Sequence, residues 1–205
     1  MKQLSPKAQA TREKILKAAN DLFYLGGYNA TGLDRIIAEA GVAKGNFYHH
    51  FKNKEELATA VLDWHRDLAF KEIELDHILA EPSPLKALLE LVTRMTSRMM
   101  CDSSEMCRVR GCFFGNFALE LSTGSEAVRL RVKTVFDGVR ELIRDFVRKG
   151  QAAGEIRPEL DPASTAGTIL SLMEGAVLLD KTSQTRHETG NAIRFIREYL
   201  QRKAS

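Results

Sequence analysis

Hydrophobic residues recur along the chain at steps of three and four positions, and the strict alternation that is typical of strands is absent. Such spacing places apolar side chains on one face of a helix. A first helix is predicted to end at the Gly26-Gly27 pair. Its apolar face is formed by Ile15, Leu16, Ala19, Leu22 and Phe23. The pattern therefore predicts an all-α protein.

Two short helices are predicted next. Thr31 is followed three residues later by Asp34, a spacing at which a hydroxyl and a carboxylate can satisfy the free amides of a helix start. This second helix is expected to end near Gly41, and a third is expected to run from about Ala43 to Phe51. A tight turn around Gly41 would join the two helices, which is the arrangement of a helix-turn-helix.

Longer helices are predicted after this pair. Asn53 and Glu56 have the spacing of a second capping pair, and they predict a fourth helix over 54–80 that Pro82 and Pro84 terminate. Periodicity then predicts helices over 85–100, 113–121, 128–154, 161–181 and 186–202, with an irregular Cys-, Asp- and Ser-rich stretch after the first of them. We therefore expect an N-terminal helix-turn-helix domain of three helices at 1–54 and a C-terminal helical bundle at 55–205.

Charge is concentrated at the N-terminal end of the chain. The 205 residues carry a formal net charge of only +3, so the whole molecule is not a polycation. Residues 1–54 contain nine Lys or Arg against four Asp or Glu, whereas the rest of the chain contains 21 against 23. A local excess of positive charge on a helix-turn-helix favours binding to nucleic acid.

The remaining composition excludes several classes of protein. The start of the chain is charged and lacks the apolar segment of a secretion signal, and no uninterrupted apolar stretch long enough to span a bilayer is seen. We therefore expect a cytoplasmic protein with no membrane partner. Cys101, Cys107 and Cys112 are odd in number and match no zinc ligand spacing, so free thiols, no metal and no cofactor are expected.

The third predicted helix has one apolar and one polar flank. Phe47 and Phe51 lie four residues apart and can anchor one side, while Lys44 and Asn46 remain free on the other. Lysine can donate to guanine edges and asparagine can pair with an adenine edge. Gly45 allows the backbone to come close to DNA. Phosphates would be bound by Tyr48, His49, Lys52 and Lys54. The predicted DNA-binding residues are thus Thr31, Lys44, Gly45, Asn46, Tyr48, His49, Lys52 and Lys54.

The segment from Thr31 to Leu57 resembles the signature of the TetR family of bacterial regulators, most closely in its run FYHHFKNKEEL at 47–57. One departure is visible, since family members often have Ser or Thr where Ala43 stands. The resemblance implies about nine helices and a homodimer formed through the helices at 161–181 and 186–202. It also implies a pseudo-palindromic double-stranded DNA operator that is released on binding of a small molecule.

The resemblance also implies a ligand pocket lined by the middle helices. Its candidate lining residues are Trp64, Leu68, Met95, Met99, Cys112, Phe113, Phe117 and Met173. Methionine and phenylalanine side chains could adapt to an apolar inducer of unknown identity. The alternative is that these residues are ordinary core, as apolar residues at helical spacing usually are.

A finer resemblance concerns the segments RGCFFGNF at 110–117 and GAVLLDK at 175–181. They are similar to those of TetR-type repressors that respond to electrophiles or oxidants, in which a cysteine after a glycine is the reactive thiol and a lysine lies near it. Cys112 and Lys181 fall on these positions, and a nearby cation would favour the thiolate. The alternative is an inert buried thiol.

Taken together, these patterns predict a sequence-specific DNA-binding transcriptional regulator, most simply a repressor released by a small molecule or a thiol-reactive signal, and not an enzyme. One alternative is a helical enzyme with a cysteine nucleophile, although no histidine or carboxylate stands in recognisable register with Cys112. A second alternative is a transcriptional activator with the same DNA-binding domain.

Overall fold

The computed structural model describes residues 5–99 and 108–201, and helices make up most of this part of the chain. The helices are α1 (Pro6–Gly26), α2 (Leu33–Ala40), α3 (Lys44–His50), α4 (Lys54–Glu72), α5 (Leu75–Leu79), α6 (Pro84–Met99), α7 (Phe113–Leu121), α8 (Glu126–Ala152), α9 (Pro162–Ser183) and α10 (His187–Leu200). Among the described residues the extended backbone pairing is a single bridge between Ile156 and Gln201. The prediction of an all-α fold is confirmed. The Cys-rich stretch with Cys101 and Cys107 lies outside the described residues.

The chain divides into two compact units. Unit 1 falls within Met1–Asp67 and Phe113–Lys133, and unit 2 falls within Leu68–Cys112 and Thr134–Ser205. Unit 1 is therefore built from two separate stretches of the sequence. The functional boundary predicted after Lys54 stays a prediction, since compactness and function need not divide a chain at the same residue.

Unit 1 is organised around the apolar face of α1. Ile15 and Phe23 of α1 are almost fully buried, together with Ile36 of α2, Phe47 of α3 and Leu57 of α4. Ser5 caps the start of α1 by accepting a hydrogen bond from the amide of Ala8, and Pro6 fits the first turn because that turn needs no donor there. Removing these apolar side chains from water stabilises the packing of these four helices.

The predicted capping role of Thr31 is wrong. Gly32 is the residue that precedes α2, and it provides no side-chain cap. Thr31 is only 1% exposed, and its hydroxyl donates to the carbonyl oxygen of Gly27 at 2.7 Å. The hydroxyl thus satisfies the end of α1 instead of the start of α2. The spacing to Asp34 suggested a cap, but burial of Thr31 against α1 determines its actual partner.

The long fourth helix predicted over 54–80 is interrupted. Helix α4 ends at Glu72, and Glu74 adopts a left-handed conformation with φ of 53° before α5 begins. The guanidinium of Arg94 from α6 donates to the carbonyl oxygen of Ile73 at 3.0 Å and forms an ion pair with Glu74. A tertiary partner therefore takes the backbone group that a continuous helix would have used.

Unit 2 is a bundle in which α6, α9 and α10 pack against one another around a core shared with α8. Its buried residues include Leu91, Ile143, Ile169, Met173 and Ile196. Helix α9 is long and apolar enough, by length and composition, to span a membrane, whereas no such segment was expected from the sequence. Its buried face packs against α6 and α10, and 39% of its apolar window is buried within the described residues.

Candidate nucleic-acid interface

Helices α2 and α3 form the helix-turn-helix that the sequence predicted. Helix α2 ends at Gly41, which has φ of 63° and donates its amide hydrogen to the carbonyl oxygen of Ala38. A left-handed residue is accessible to glycine at little cost, so Gly41 allows the chain to turn sharply. Ala43 precedes α3 without a side-chain cap, as expected from the missing hydroxyl at this position.

The two flanks of α3 differ as predicted. Phe47 and Phe51 are at most 1% exposed, and the centres of their rings lie 6.0 Å apart in the core of unit 1. The other flank is exposed and consists of Lys44, Gly45, Asn46, Tyr48 and His49. Tyr48 packs edge-on against Phe47 at 5.3 Å but keeps 46% of its surface exposed. Burial of the phenylalanines thus presents a polar surface to the outside.

Lys44 forms an ion pair with Asp34 of α2, with 3.0 Å between the ammonium nitrogen and the carboxylate oxygen. The hydrogen bond and the charge of Asp34 raise the pKa of Lys44 above its ordinary value. Both side chains are largely exposed, so water and salt screen the pair and a phosphate or a base edge can compete with Asp34. Lys44 is therefore charged and accessible.

The start of α4 is closed by the predicted capping pair. Asn53 accepts a hydrogen bond from the amide of Glu56, and the carboxylate of Glu56 accepts one from the amide of Lys52, each at 2.8 Å. These bonds satisfy amides that would otherwise be free at the helix start. The side chain of Lys52 is exposed beside this start.

Two predicted DNA contacts are already engaged within unit 1. The ammonium group of Lys54 lies 4.1 Å from the ring centre of Tyr28, and burial lowers its pKa, partly offset by Glu120. Lys54 must therefore leave an aromatic partner before it can bind a phosphate. Thr31 is buried, and its hydroxyl is bonded to Gly27. Thr31 was predicted to contact DNA, but its buried side chain is not accessible for such a contact.

A cation that lies beside α3 was not predicted from the sequence. The guanidinium carbon of Arg12 is 4.4 Å from the ring centre of Phe51, at the end of α3. Burial lowers the pKa of the neighbouring His50, and the charges of His49 and Arg12 lower it further. The signal available in the sequence was a basic residue on the polar flank of α1, but periodicity cannot indicate what that residue faces.

The residues predicted to line a ligand pocket divide between core and partly covered positions. In unit 1, Phe113 stacks on His65 at 3.9 Å and packs with Phe117 at 5.0 Å, so both phenylalanines are core. Trp64 is half-buried. In unit 2, Met173 is core, whereas Leu68, Met95 and Met99 are half-buried. The pocket itself stays a prediction.

Unit 2 also contains an open groove of about 1260 Å³. It is lined by residues from α6, α10 and the loop after α8, among them Leu89, Glu90, Glu155 and Arg197. None of the residues predicted for the pocket lines this groove. Glu155 uses its carboxylate to accept hydrogen bonds from the hydroxyl of Ser83 and the amide of Leu85.

Cys112 is 5% exposed in unit 2 and forms a hydrogen bond with Glu174 of α9. Burial raises the pKa of Glu174, and this hydrogen bond partly offsets the increase. Burial and a neighbouring carboxyl group both disfavour a thiolate, whereas the predicted Lys181 neighbour would favour one. The sensing role of Cys112 and Lys181 stays a prediction.

Helices α9 and α10 leave apolar side chains uncovered in the described chain. Leu178, Leu179 and Phe195 are between 48% and 55% exposed, and the ring of Phe195 stacks on Tyr199. Large exposed apolar side chains on one helix pair are typical of a surface that binds another protein.

Comparisons with known proteins agree with this geometry. Residues 15–61 match the family model of bacterial regulatory proteins of the tetR family, and residues 84–196 match the Tetracyclin repressor-like C-terminal domain. The chain is 30% identical to the HTH-type transcriptional regulator LmrA of Bacillus subtilis (strain 168), over 85% of this chain and 88% of that protein. It is 27% identical to the HTH-type transcriptional repressor DhaR of Mycobacterium sp. (strain GP1), over 92% and 91%.

A solved structure extends the comparison to three dimensions. The crystal structure of a TetR transcriptional regulator from Chloroflexus aurantiacus J-10-fl has a TM-score of 0.83 and 32% identity, covering 95% of this chain and 96% of that one. Both matched family models and the relatives named here are those of transcriptional regulators. The chain is therefore a member of the TetR family of bacterial transcriptional regulators, with α2 and α3 as its DNA-binding helix-turn-helix.

Proposed function

We propose that this regulator is a cytoplasmic repressor that binds a pseudo-palindromic operator as a homodimer and leaves it when a small molecule binds. The observation that carries the proposal is the two-sided α3, whose phenylalanines are buried while Lys44, Asn46 and Tyr48 are exposed. A helix held in this way can enter a major groove without disturbing the core that supports it.

The exposed residues divide into two roles. Lys44 and Asn46 would contact base edges, because their side chains carry the donors and acceptors that distinguish base pairs. Tyr48, His49 and Lys52 would contact phosphates and fix the position of α3 on the duplex. Lys54 would join them only after leaving the Tyr28 ring. Thr31 supports the end of α1 and has no direct role in this scheme.

The homodimer would form through α9 and α10. Their exposed leucines and Phe195 would pair across a two-fold axis into a four-helix interface. Two copies of α3 would then meet successive turns of the major groove, ~34 Å apart. The two-fold axis of the proposed dimer explains why the operator is expected to be pseudo-palindromic.

The experiment measures binding of the purified protein to DNA fragments from its own promoter region by fluorescence anisotropy at several salt concentrations. Asn46→Ala should reduce the preference for the operator over unrelated DNA by about 10-fold, whereas Lys52→Ala should weaken binding to both equally and lower the salt slope by about 0.9 for each phosphate that is no longer bound. Lys149→Ala, which removes an exposed lysine on α8, is the control for the change in net charge. Binding that is equally tight to all fragments and unaffected by Asn46→Ala would contradict the proposal.

A further inference from the structure

The corner between α1 and α2 is held by a side chain from a distant part of the sequence. Glu120 of α7 accepts hydrogen bonds from the backbone amides of Tyr28 at 3.1 Å and Asn29 at 2.9 Å. One carboxylate thus satisfies two consecutive amides that lie beyond the end of α1. Hydrogen bonds from an amide to an ionised carboxylate are stronger than those between neutral groups.

The backbone of this corner is fitted to the carboxylate. Gly27 has φ of 83°, and a Cβ atom at this position would lie 2.8 Å from a carboxylate oxygen of Glu120. Glycine therefore provides both the positive φ and the space that Glu120 needs to reach the amides. The turn and the carboxylate depend on each other.

Tyr28 brings further groups to the same corner. Its ring lies 6.0 Å from Phe117 of α7 and 5.3 Å from Phe23 of α1, and the ammonium group of Lys54 lies over it. Lys54 is the first residue of α4. Tyr28 therefore contacts both helix α7 and the residue that begins α4.

A second bond from the same segment of the chain reaches α4. The hydroxyl of Ser125, which precedes α8, donates to the carboxylate of Glu55. Ser125 also accepts a hydrogen bond from the amide of Val128 at 3.2 Å. The helices on either side of α3 are thus each attached within unit 1 to the stretch 113–133, at the corner before α2 and at the start of α4.

We propose that Glu120 is a positioning residue for DNA binding, in that its two hydrogen bonds to the α1–α2 corner hold α2, and with it α3, in the orientation that fits a groove. The inference rests on the proposed function. Glu120 does not itself contact DNA in this scheme, and it acts through the backbone amides of Tyr28 and Asn29.

Charge and positioning predict opposite results when Glu120 is neutralised. Removing a negative charge from a DNA-binding unit should by itself strengthen binding to a polyanion. Glu120→Gln leaves one carbonyl oxygen and replaces the other acceptor by an NH2 group, so at least one of the two hydrogen bonds is lost. This loss should weaken binding, because the free protein then samples orientations of α2 and α3 that do not fit. A weaker complex after neutralisation therefore identifies positioning as the cause.

The test compares Glu120→Gln with Glu126→Gln at one salt concentration and at a temperature where thermal melting shows that both are folded. Glu126 is a matched control because it is exposed and pairs with Arg129 on its own helix. Operator affinity, measured by fluorescence anisotropy with a promoter fragment, is expected to fall on the order of 10-fold for Glu120→Gln and to stay equal or rise for Glu126→Gln. Hydrogen exchange of the Tyr28 and Asn29 amides should become faster in Glu120→Gln alone.

In the unmodified protein, addition of the operator fragment should slow exchange of these two amides, because coupling between two events is reciprocal. Faster exchange with unchanged affinity in Glu120→Gln would overturn the positioning role. It would still support the two hydrogen bonds in the unmodified protein. Unchanged exchange would overturn the hydrogen bonds themselves. If the unmodified protein bound no promoter fragment, the proposed function would fail together with the positioning role, whereas the exchange of Tyr28 and Asn29 would still report on the corner.

Discussion

At the residue scale, the hydrogen bond between Cys112 and Glu174 places a carboxyl group beside the thiol. The pKa of Glu174 is raised by burial, so at neutral pH this carboxyl group holds its proton more strongly than an exposed glutamate does. When it does ionise, its negative charge opposes formation of a thiolate beside it. Reactivity of Cys112 is therefore expected to depend on the charge of its neighbour.

In a chain with Cys101 and Cys107 replaced by serine, Cys112 is expected to react with iodoacetamide more slowly than the same chain unfolded in urea, because the thiol is buried. Glu174→Gln should increase the rate by about threefold or more at a pH at which Glu174 is ionised, since it then removes a negative charge. Mass spectrometry of the alkylated protein follows the reaction. A rate that Glu174→Gln leaves unchanged would show that the carboxyl group does not control the thiol.

The same measurement tests the role predicted for Lys181. If its ammonium group stabilises the thiolate, Lys181→Ala should slow alkylation, whereas Lys149→Ala on α8 should have no effect. Equal rates for the two lysine variants would remove Lys181 from the sensing hypothesis.

At the scale of elements, the joint between α9 and α10 depends on one buried carboxylate. Asp180 has no exposed surface and accepts hydrogen bonds from the amides of Glu188 at 2.8 Å and Thr189 at 3.0 Å, and from the hydroxyl of Thr189 at 2.7 Å. Burial alone would raise the pKa of Asp180, but these hydrogen bonds together with that of Thr185 outweigh it, so the pKa lies below its ordinary value. The carboxylate thus anchors the start of α10 to the end of α9.

Asp180→Asn is expected to reduce the free energy of unfolding by about 2 kcal/mol at pH 7, because one carboxylate oxygen is replaced by an NH2 group that faces a donor and cannot accept a hydrogen bond. Folding lowers the pKa of Asp180. Its contribution to the free energy of unfolding is therefore complete above the pKa of the unfolded state, about 3.8, and is lost as the pH falls through the pKa of the folded state. The difference between Asp180→Asn and the unmodified protein should therefore shrink below about pH 4. Urea unfolding of both proteins at a series of pH values measures this difference in the free energy of unfolding.

Asp161→Asn provides the control for this substitution. Asp161 caps the exposed start of α9 through the amide of Ser164, and asparagine caps a helix about as well as aspartate. A loss for Asp180→Asn no greater than that for Asp161→Asn would contradict the anchoring role of Asp180.

Most helices could be predicted from the sequence, because periodicity and caps act over a few residues. Helix α7 is found at the predicted 113–121, and Asn53 and Glu56 cap α4 as expected. The break at Glu74 could not be predicted, since it depends on Arg94, twenty residues away. Thr31 was misassigned for a related reason, because its partner is the end of α1 and not the helix that follows it.

The candidate site was predictable in its exposed residues and not in their partners. The four-residue spacing of Phe47 and Phe51 correctly separated the buried flank of α3 from its exposed flank. The pairing of Lys44 with Asp34, the position of Lys54 over Tyr28 and the reach of Glu120 depend on tertiary packing that helical spacing does not encode.

At the scale of the whole molecule, the proposed homodimer through the exposed apolar surface of α9 and α10 would connect assembly with DNA binding. A dimer would engage both half-sites of an operator. Once one protomer is bound to its half-site, the other protomer would meet the second half-site at a high effective concentration. Weakening the dimer should therefore weaken operator binding without any change in α3.

Phe195→Glu is expected to convert the proposed dimer into a monomer at micromolar concentration, because it would place a charge in the proposed apolar interface, where Phe195 is exposed. Operator affinity should then fall by about 100-fold or more. Light scattering coupled to size-exclusion chromatography measures the mass. Leu119→Glu is the control, since Leu119 is 78% exposed on α7 and should leave the mass unchanged. A dimer that survives Phe195→Glu would exclude this face as the interface.

The assembly of unit 1 from two separate stretches of the chain has a consequence for engineering hybrid regulators. Exchanging the first 54 residues between two relatives would bring foreign partners to the aromatic core, because Phe113, Phe117 and Glu120 come from the recipient. A graft that also carries the donor's counterpart of 113–133 would keep these native contacts together. Transplanted operator specificity should therefore depend on moving two separated pieces of sequence as a single cassette.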